Sequence, residues 1–384
     1  MQPPAPTPTA PRRIVVRGVN WLGDAVMSTP ALLRLRQAFP AAYIVLLTPA
    51  KIADLWRHHP AVDTVLSFES GASLGQVARQ IRDGRFDLGL VLPNSPRSAL
   101  ELWRAGVPRR VGYAARWRRW FLTQAVPSRP GFVAMHKRTA AEVRRLIDPA
   151  RPPSPAPPPP PPTAHHLHHY LHLVAALGAD PTPLAPLVQV TPEELTAARQ
   201  RFALTDQSDS PAPWLGLNPG AEYGPAKRWP AEAFAAAAAA LHRRTGCRWI
   251  ILGGARDGEL AAAIAAQISA SAPAAPLINL AGRTSLRELA AVLKLCRVVL
   301  TNDTGPMHLA AAVGTPVVVP FGSTSFELTG PGQPGDPRHR CLHTSVACRP
   351  CFLRHCPIDR RCLTGITVDQ VVQAVTDSLA SPPR

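Results

Sequence analysis

The stretch Ile14-Val15-Val16-Arg17-Gly18-Val19-Asn20-Trp21-Leu22-Gly23-Asp24 decides the fold class. It opens with a short apolar run of strand type. Two glycines then permit a tight turn, and helical periodicity follows over 25–38. The same unit recurs downstream. Strands are expected at 43–47, 62–67 and 86–92, with helices over 52–58, 74–82 and 98–105 between and after them. A second series places strands at 214–218, 249–252, 277–280, 298–301 and 317–320. Repeated β-α winding implies parallel sheets covered on both faces, with ligands at the carboxyl ends of the strands. A length of 384 residues accommodates two such domains. The fold class is therefore α/β, with two doubly wound Rossmann-like domains joined within 190–213 and substrates in the cleft between them.

Hydrophobic residues make up 46% of the chain, yet only 6% are aromatic, so the interior must be built from Ala, Leu and Val. The formal charge is +17. Of 42 basic residues, 38 are Arg, and Lys occurs only as Lys51, Lys137, Lys227 and Lys294. Such a balance calls for an anionic partner: nucleic acid, a phospholipid surface or a phosphorylated substrate. No apolar run is long enough to span a bilayer, and 1–11 lacks the apolar segment of a signal peptide, so a cytoplasmic protein is expected.

The organisation read from the chain is a disordered tail over 1–12, an N-terminal domain over 13–195 and a C-terminal domain over 205–365. A final helix over 366–384 is expected to pack back on the N-terminal domain. A surface insertion over 149–163 ends in six consecutive prolines, which suit only polyproline II or a spacer. Just after it, His165, His168, His169 and His172 are expected to form the outer stripe of a helix whose apolar side is Leu167, Leu171, Val174 and Leu177. Seven cysteines do not read as a secreted disulfide framework. Four of them, Cys348, Cys351, Cys356 and Cys362, form either a structural metal site or a set of reduced, partly buried thiols; their spacing matches neither a zinc ribbon nor a ferredoxin.

Three loops carry chemistry. After the first strand, Asp24 stands at a helix start, as an N-cap or as a functional carboxylate. After the strand at 214–218, the segment from Asn218 to Pro230 holds Lys227 beside Arg228, an ammonium and a guanidinium suited to a diphosphate, or else a solvated loop anchored by Trp229. After the strand at 298–301, Asn302-Asp303-Thr304-Gly305-Pro306-Met307-His308 enters an Ala-rich helix. There Gly305 opens space for a phosphate, the first amides form an anion cradle, and His308 is a phosphate donor or a structural histidine. Phe321-Gly322-Ser323-Thr324 forms a neighbouring wall.

The motifs Asn20-Trp21-Leu22-Gly23-Asp24, Leu92-Pro93-Asn94-Ser95, Pro219 to Pro230 and Asn302 to His308 together resemble those of the ADP-heptose:lipopolysaccharide heptosyltransferases, over nearly the whole chain outside the tail and the proline insertion. The long Pro219 to Pro230 loop is most similar to the branch of that family that adds the second core heptose to the first. The resemblance implies a GT-B fold and an inverting transfer; no cofactor is expected, and the lack of any Asp-x-Asp in the chain disfavours a metal-chelating donor site, so a metal-independent transfer is expected. The implied donor is ADP-L-glycero-D-manno-heptose. The implied acceptor is Kdo-lipid A already carrying a heptose, met at the cytoplasmic face of the anionic inner membrane.

By the same resemblance Asp24 is the general base and Lys227 contacts donor phosphate. The implied donor site comprises Gly23, Glu222, Lys227, Arg228, Asp303, Thr304, Gly305 and His308, with Glu259 on the ribose and Arg283 and Thr284 at the adenine. The acceptor site is expected at Asn20, Trp21, Asn94, Ser95 and Arg116. Pro306 stands where relatives often carry a larger apolar residue, a change of packing more than of chemistry. Another core position or another sugar donor is the alternative enzyme. A basic nucleic-acid-binding protein is the non-enzyme alternative, disfavoured because the sequence offers no standard module or aromatic stacking surface.

Overall fold

The computed structural model describes residues 10–150, 159–204 and 212–381. The first half contains strands β1 (Arg13–Arg17), β2 (Tyr43–Pro49), β3 (Thr64–Phe68), β4 (Leu88–Val91), β5 (Arg109–Tyr113) and β6 (Gln124–Val126). Its helices are α1 (Leu22–Ala38), α2 (Leu74–Asp83) and α3 (Pro96–Arg104), followed by α4 (Ala140–Leu146), α5 (Leu167–Ala175) and α6 (Pro192–Arg201). The second half contains β7 (Trp214–Asn218), β8 (Arg248–Ile251), β9 (Leu277–Asn279), β10 (Val298–Thr301), β11 (Val317–Pro320) and β12 (Arg340–Leu342). Its helices are α7 (Ala231–Thr245), α8 (Gly258–Ser271), α9 (Leu286–Leu295), α10 (Gly305–Ala312), α11 (Phe326–Thr329), α12 (Arg361–Thr364) and α13 (Val368–Ala380).

All strand pairs are parallel, in the orders β3-β2-β1-β4-β5-β6 and β9-β8-β7-β10-β11-β12. The two sheets therefore share one topology, and each reverses direction of winding once, at β1/β4 and at β7/β10. Ligands of doubly wound sheets bind outside the carboxyl ends at such a reversal. The register there aligns Arg17 with Val91 in one sheet and Asn218 with Thr301 in the other.

Two compact units result: residues up to Phe132 with Leu167–Leu184, and Val133–His166 with the chain from Ala185 onward. The first is held by an aliphatic core that includes Val15, Val45, Leu47, Val77, Ile81, Leu102 and Val107. The second packs Leu217, Phe234, Ala238, Leu241, Trp249, Ile251 and Leu300 with Val371 and Val375 of α13.

These contacts revise the expected boundaries. Residues 133–166 and 185–195 belong with the second unit, because Arg138 donates to the carbonyls of Cys351 and Pro350, Val143 packs with Cys348 and Cys351, and α6 packs on α9. The last helix, α13, packs within the second unit. Its buried valines are taken up by α7 and by β10 to β12. Parts of the proline insertion (151–158) and of the tail (1–9), part of the expected junction (205–211) and the last three residues lie outside the described residues. Among those described, no helix is long and apolar enough to cross a membrane.

The histidine stripe is also revised. His165 precedes α5 and is buried, its Nε2 3.1 Å from the carbonyl of Gly330; His169 is buried with its ring stacked 3.9 Å from Tyr113. Imidazole is amphipathic enough to serve as core once one nitrogen is partnered, and helical periodicity alone does not register that.

Candidate active site

The four family-like motifs each leave the carboxyl end of a strand at one of the two reversal points. In the first unit, residues 18–24 follow β1 and residues 92–95 follow β4. Arg17, buried at the end of β1, pairs through Nε with Glu101 of α3 at 2.8 Å and donates from Nη1 to Oδ1 of Asn20 at 3.2 Å. A charged pair with this little exposure is held by its additional hydrogen bonds rather than by Coulomb attraction alone. It fixes the turn that presents Trp21, half exposed, whose ring carries the Lys51 ammonium at 4.8 Å.

Asp24 occupies the first turn of α1 and is only half-buried. Trp21 is the N-cap residue, so Asp24 does not cap the helix. It accepts instead from the hydroxyl of Tyr170 on α5, at 3.4 Å. Tyr170 is buried, and burial, followed by the charge of Asp24, raises its phenol well above its usual pKa, so it remains a neutral donor. Asn94 accepts from Nη1 of Arg118 at 3.0 Å and lies 3.4 Å from Nε2 of His169. The Ser95 hydroxyl caps α3 by accepting from the amide of Ser98, and Arg116 opens the short 3-10 turn Arg116–Phe121.

In the second unit the loop after β7 meets the loop after β10. Lys227 Nζ lies 2.6 Å from Oδ2 of Asp303, with both side chains largely buried, and 4.9 Å from the ring of Tyr223. The same Asp303 oxygen accepts from the hydroxyl of Thr324, so the wall after β11 joins the site. Asn302 clamps the two loops: its Oδ1 accepts from the amide of Trp229 at 2.9 Å and its Nδ2 donates to the carbonyl of Pro219 at 2.7 Å. Trp229 is buried and donates its indole N–H to Ile366. Gly224 has φ +150°, and a Cβ there would stand 2.6 Å from the carbonyl oxygen of Arg354, so only glycine lets the 3-10 turn Pro225–Lys227 dock.

The expected anion cradle at α10 is narrower than the motif suggests. Pro306 has no N–H, and the Met307 amide is taken up by the Thr304 carbonyl at 3.0 Å. Thr304 and Gly305 are half-buried, whereas His308 is buried one turn in. Glu222 and Glu259 are exposed, Arg283 is exposed with Nη1 3.3 Å from the carbonyl of Asn279, and Thr284 is half-buried. Gly23 lies in the first turn of α1.

Three participants were not singled out in the sequence. Asp257 accepts from the Gly254 amide at 3.0 Å, faces Arg228 at 3.8 Å, and lies so close to Gly220 that a Cβ there would be 2.4 Å from its carboxylate. It therefore reaches the 219–230 loop, while Glu259, two residues on, points to solvent. Tyr170 is the second and Arg118 the third. Only the glycine at 220 was a sequence signal for the first; the other two arise from contacts remote in sequence.

Among the described residues no group of three or more His, Cys, Asp or Glu is placed to hold an ion. Cys348 and Cys351 pack with Val143 in an apolar cluster, and burial with neighbouring thiols pushes Cys362 up to about 12. Burial also raises Cys348 and Cys351, so these three thiols stay protonated.

Residues 157–361 match the model of glycosyltransferase family 9 (heptosyltransferase). The chain belongs to that family. Its relatives include lipopolysaccharide heptosyltransferase 2 of Salmonella typhimurium, 30% identical over 328 residues that cover 83% of this chain and 85% of that protein, and the Escherichia coli K12 protein of the same name at the same identity and coverage. Among solved structures, E. coli ADP-heptose lps heptosyltransferase II matches with TM-score 0.73 and 26% identity, covering 96% of this chain and 98% of that one. This family 9 chain is thus a glycosyltransferase of the GT-B, two-Rossmann type. The loops described above are where that family's motifs were expected.

Proposed function

We propose that this enzyme moves L-glycero-D-manno-heptose from ADP-heptose to the first heptose of the lipopolysaccharide inner core, with inversion at the transferred carbon. The observation that carries the reading is the 30% identity to two heptosyltransferase 2 proteins over five-sixths of the chain. The Lys227–Asp303 pair at the second reversal point supports it, because it holds a single ammonium where a diphosphate would lie. Asp24 takes the proton of the acceptor hydroxyl as it attacks the anomeric carbon, while ADP leaves from the opposite face. Tyr170 orients the carboxylate without neutralising it, because a phenol donates one hydrogen bond and carries no charge.

Lys227 and Arg228 stabilise the charge that develops on the leaving diphosphate, and Asp303 and Thr324 hold Lys227 in place. In this reading Thr304, Gly305, His308, Glu222 and Gly23 border the donor, Glu259 and Asp257 serve the ribose side, and Arg283 and Thr284 border the base. Asn20, Trp21, Asn94, Ser95 and Arg116 border the acceptor. The transfer requires no cofactor and no metal, since two side-chain cations supply the charge. The acceptor is Kdo-lipid A bearing one heptose, reached from the cytoplasmic side by a peripherally bound enzyme.

A transfer assay with ADP-heptose on acceptors carrying zero, one or two heptoses tests this. Product is expected only from the one-heptose acceptor. Product from a different acceptor moves the enzyme to another core position, and thermal stabilisation by oligonucleotide but not by ADP or ADP-heptose would overturn the reading.

A further inference from the structure

We infer that the Arg116–Phe121 turn is a membrane-interface anchor through which the first unit docks on an anionic phospholipid surface. Trp117 and Trp120 are 76% and 75% exposed, and Trp103 on the adjacent α3 is 49% exposed. Exposed indoles this close together lose the apolar contact their area would gain in a core or at an interface. The turn is nevertheless firmly seated. Arg118 is wholly buried, donating from Nη1 to Asn94 and from Nη2 to the carbonyl of Val91 at 3.1 Å, and burial lowers it to about 10. Leu122 is buried on the same side. The two indoles and Arg119 are therefore held outward, with the Arg119 guanidinium 5.9 Å from the Trp120 ring.

Charge selects the occupant. Between Glu101 and Glu142 the chain has nine basic residues and no acidic one. Indole settles at the boundary of hydrocarbon and headgroup, while arginine engages lipid phosphates beside it. Single-stranded nucleic acid asks for aromatic rings lining a basic groove, whereas these indoles stand on a projecting six-residue turn. The inference does not rest on the proposed transfer, because lipid binding is scored without turnover.

The test is flotation of the full-length protein with vesicles of phosphatidylethanolamine and phosphatidylglycerol at low salt, against phosphatidylcholine vesicles. The wild type is expected to float with the anionic vesicles. The double variant Trp117→Ser/Trp120→Ser should lose at least about tenfold in apparent affinity with an unchanged melting temperature. Arg119→Glu should lose about fivefold or more, from about 1 kcal/mol per arginine at such a surface. Arg244→Glu on α7, exposed in the second unit, makes the same change of net charge and should have no such effect. Quenching of wild-type tryptophan emission by brominated phosphatidylglycerol should be seen without any variant. Absence of quenching, equal loss from Arg244→Glu, full flotation of the double variant, or tryptophan-dependent binding of an oligonucleotide in place of vesicles would each overturn the inference.

Discussion

The two units set a carboxylate at the same topological point and give it opposite surroundings. Asp24, just beyond β1, is half-exposed and touches a neutral phenol; Asp303, just beyond β10, is buried against an ammonium and a hydroxyl. A half-exposed carboxylate beside a neutral donor is accessible to an incoming proton. One committed to a lysine serves to position that lysine. Placement at a reversal point thus does not dictate one chemistry, and the partner side chains set the difference.

Four measurements press on that contrast. The largest effect is expected from Asp24→Asn, which removes the proposed base while preserving shape. Transfer should fall by about 10²–10⁴-fold with an unchanged melting temperature, and near-wild-type turnover would break the assignment. Next comes Asp303→Ala, which strands the Lys227 ammonium. A loss of about 3–5 kcal/mol in unfolding free energy is expected by denaturant titration, whereas Lys227→Ala should chiefly weaken ADP binding, read by calorimetry. A melting temperature unmoved by Asp303→Ala would mean that the pair is solvated and interchangeable.

The third measurement concerns acid. His59 in the first unit and His339 in the second are both pushed down to about 4 by burial. Their folded pKa lies below the unfolded value, so the unfolded chain binds the extra proton, and stability present above pH 6.5 is lost as pH falls towards 4. The loss is about 3 kcal/mol per histidine at most. His339→Gln should flatten the fall of melting temperature with pH; an identical slope would place the titration elsewhere. The smallest effect is expected from Tyr170→Phe, about 1 kcal/mol or less in stability and a modest drop in kcat with KM little changed. A loss as large as that of Asp24→Asn would make Tyr170 a participant rather than a positioning residue.

The structure also changes the meaning of the positive charge. Arginine recurs at 109, 110, 116, 118 and 119, and nothing local in the sequence tells one from another. In the fold Arg118 is core, Arg110 donates from Nε to the carbonyl of Phe121, and Arg119 faces solvent between two indoles. Residues of one type and one neighbourhood were sorted by the alternation of a short turn, which composition cannot express.

Much was determined by sequence alone. Apolar runs at β1, β2, β4, β7, β8, β10 and β11 carry enough hydrophobicity to be read as buried parallel strands, and glycine- and proline-marked loops follow four of them; that these four flank the reversal points came from the sheet order. The strands β5, β6 and β12 were not legible, because β5 opens on two arginines and β6 and β12 have only three residues each, too few to carry an apolar pattern. Tertiary structure alone decided the partners. That Asp24 meets Tyr170, that Asp257 rather than Glu259 reaches the 219–230 loop, that Asn302 clamps two loops, and that α13 stays on its own sheet all depend on contacts between residues far apart in the chain. Local sequence sets which elements form through periodicity and backbone preference; which side chains meet is settled only when those elements pack and each buried polar group must find a partner.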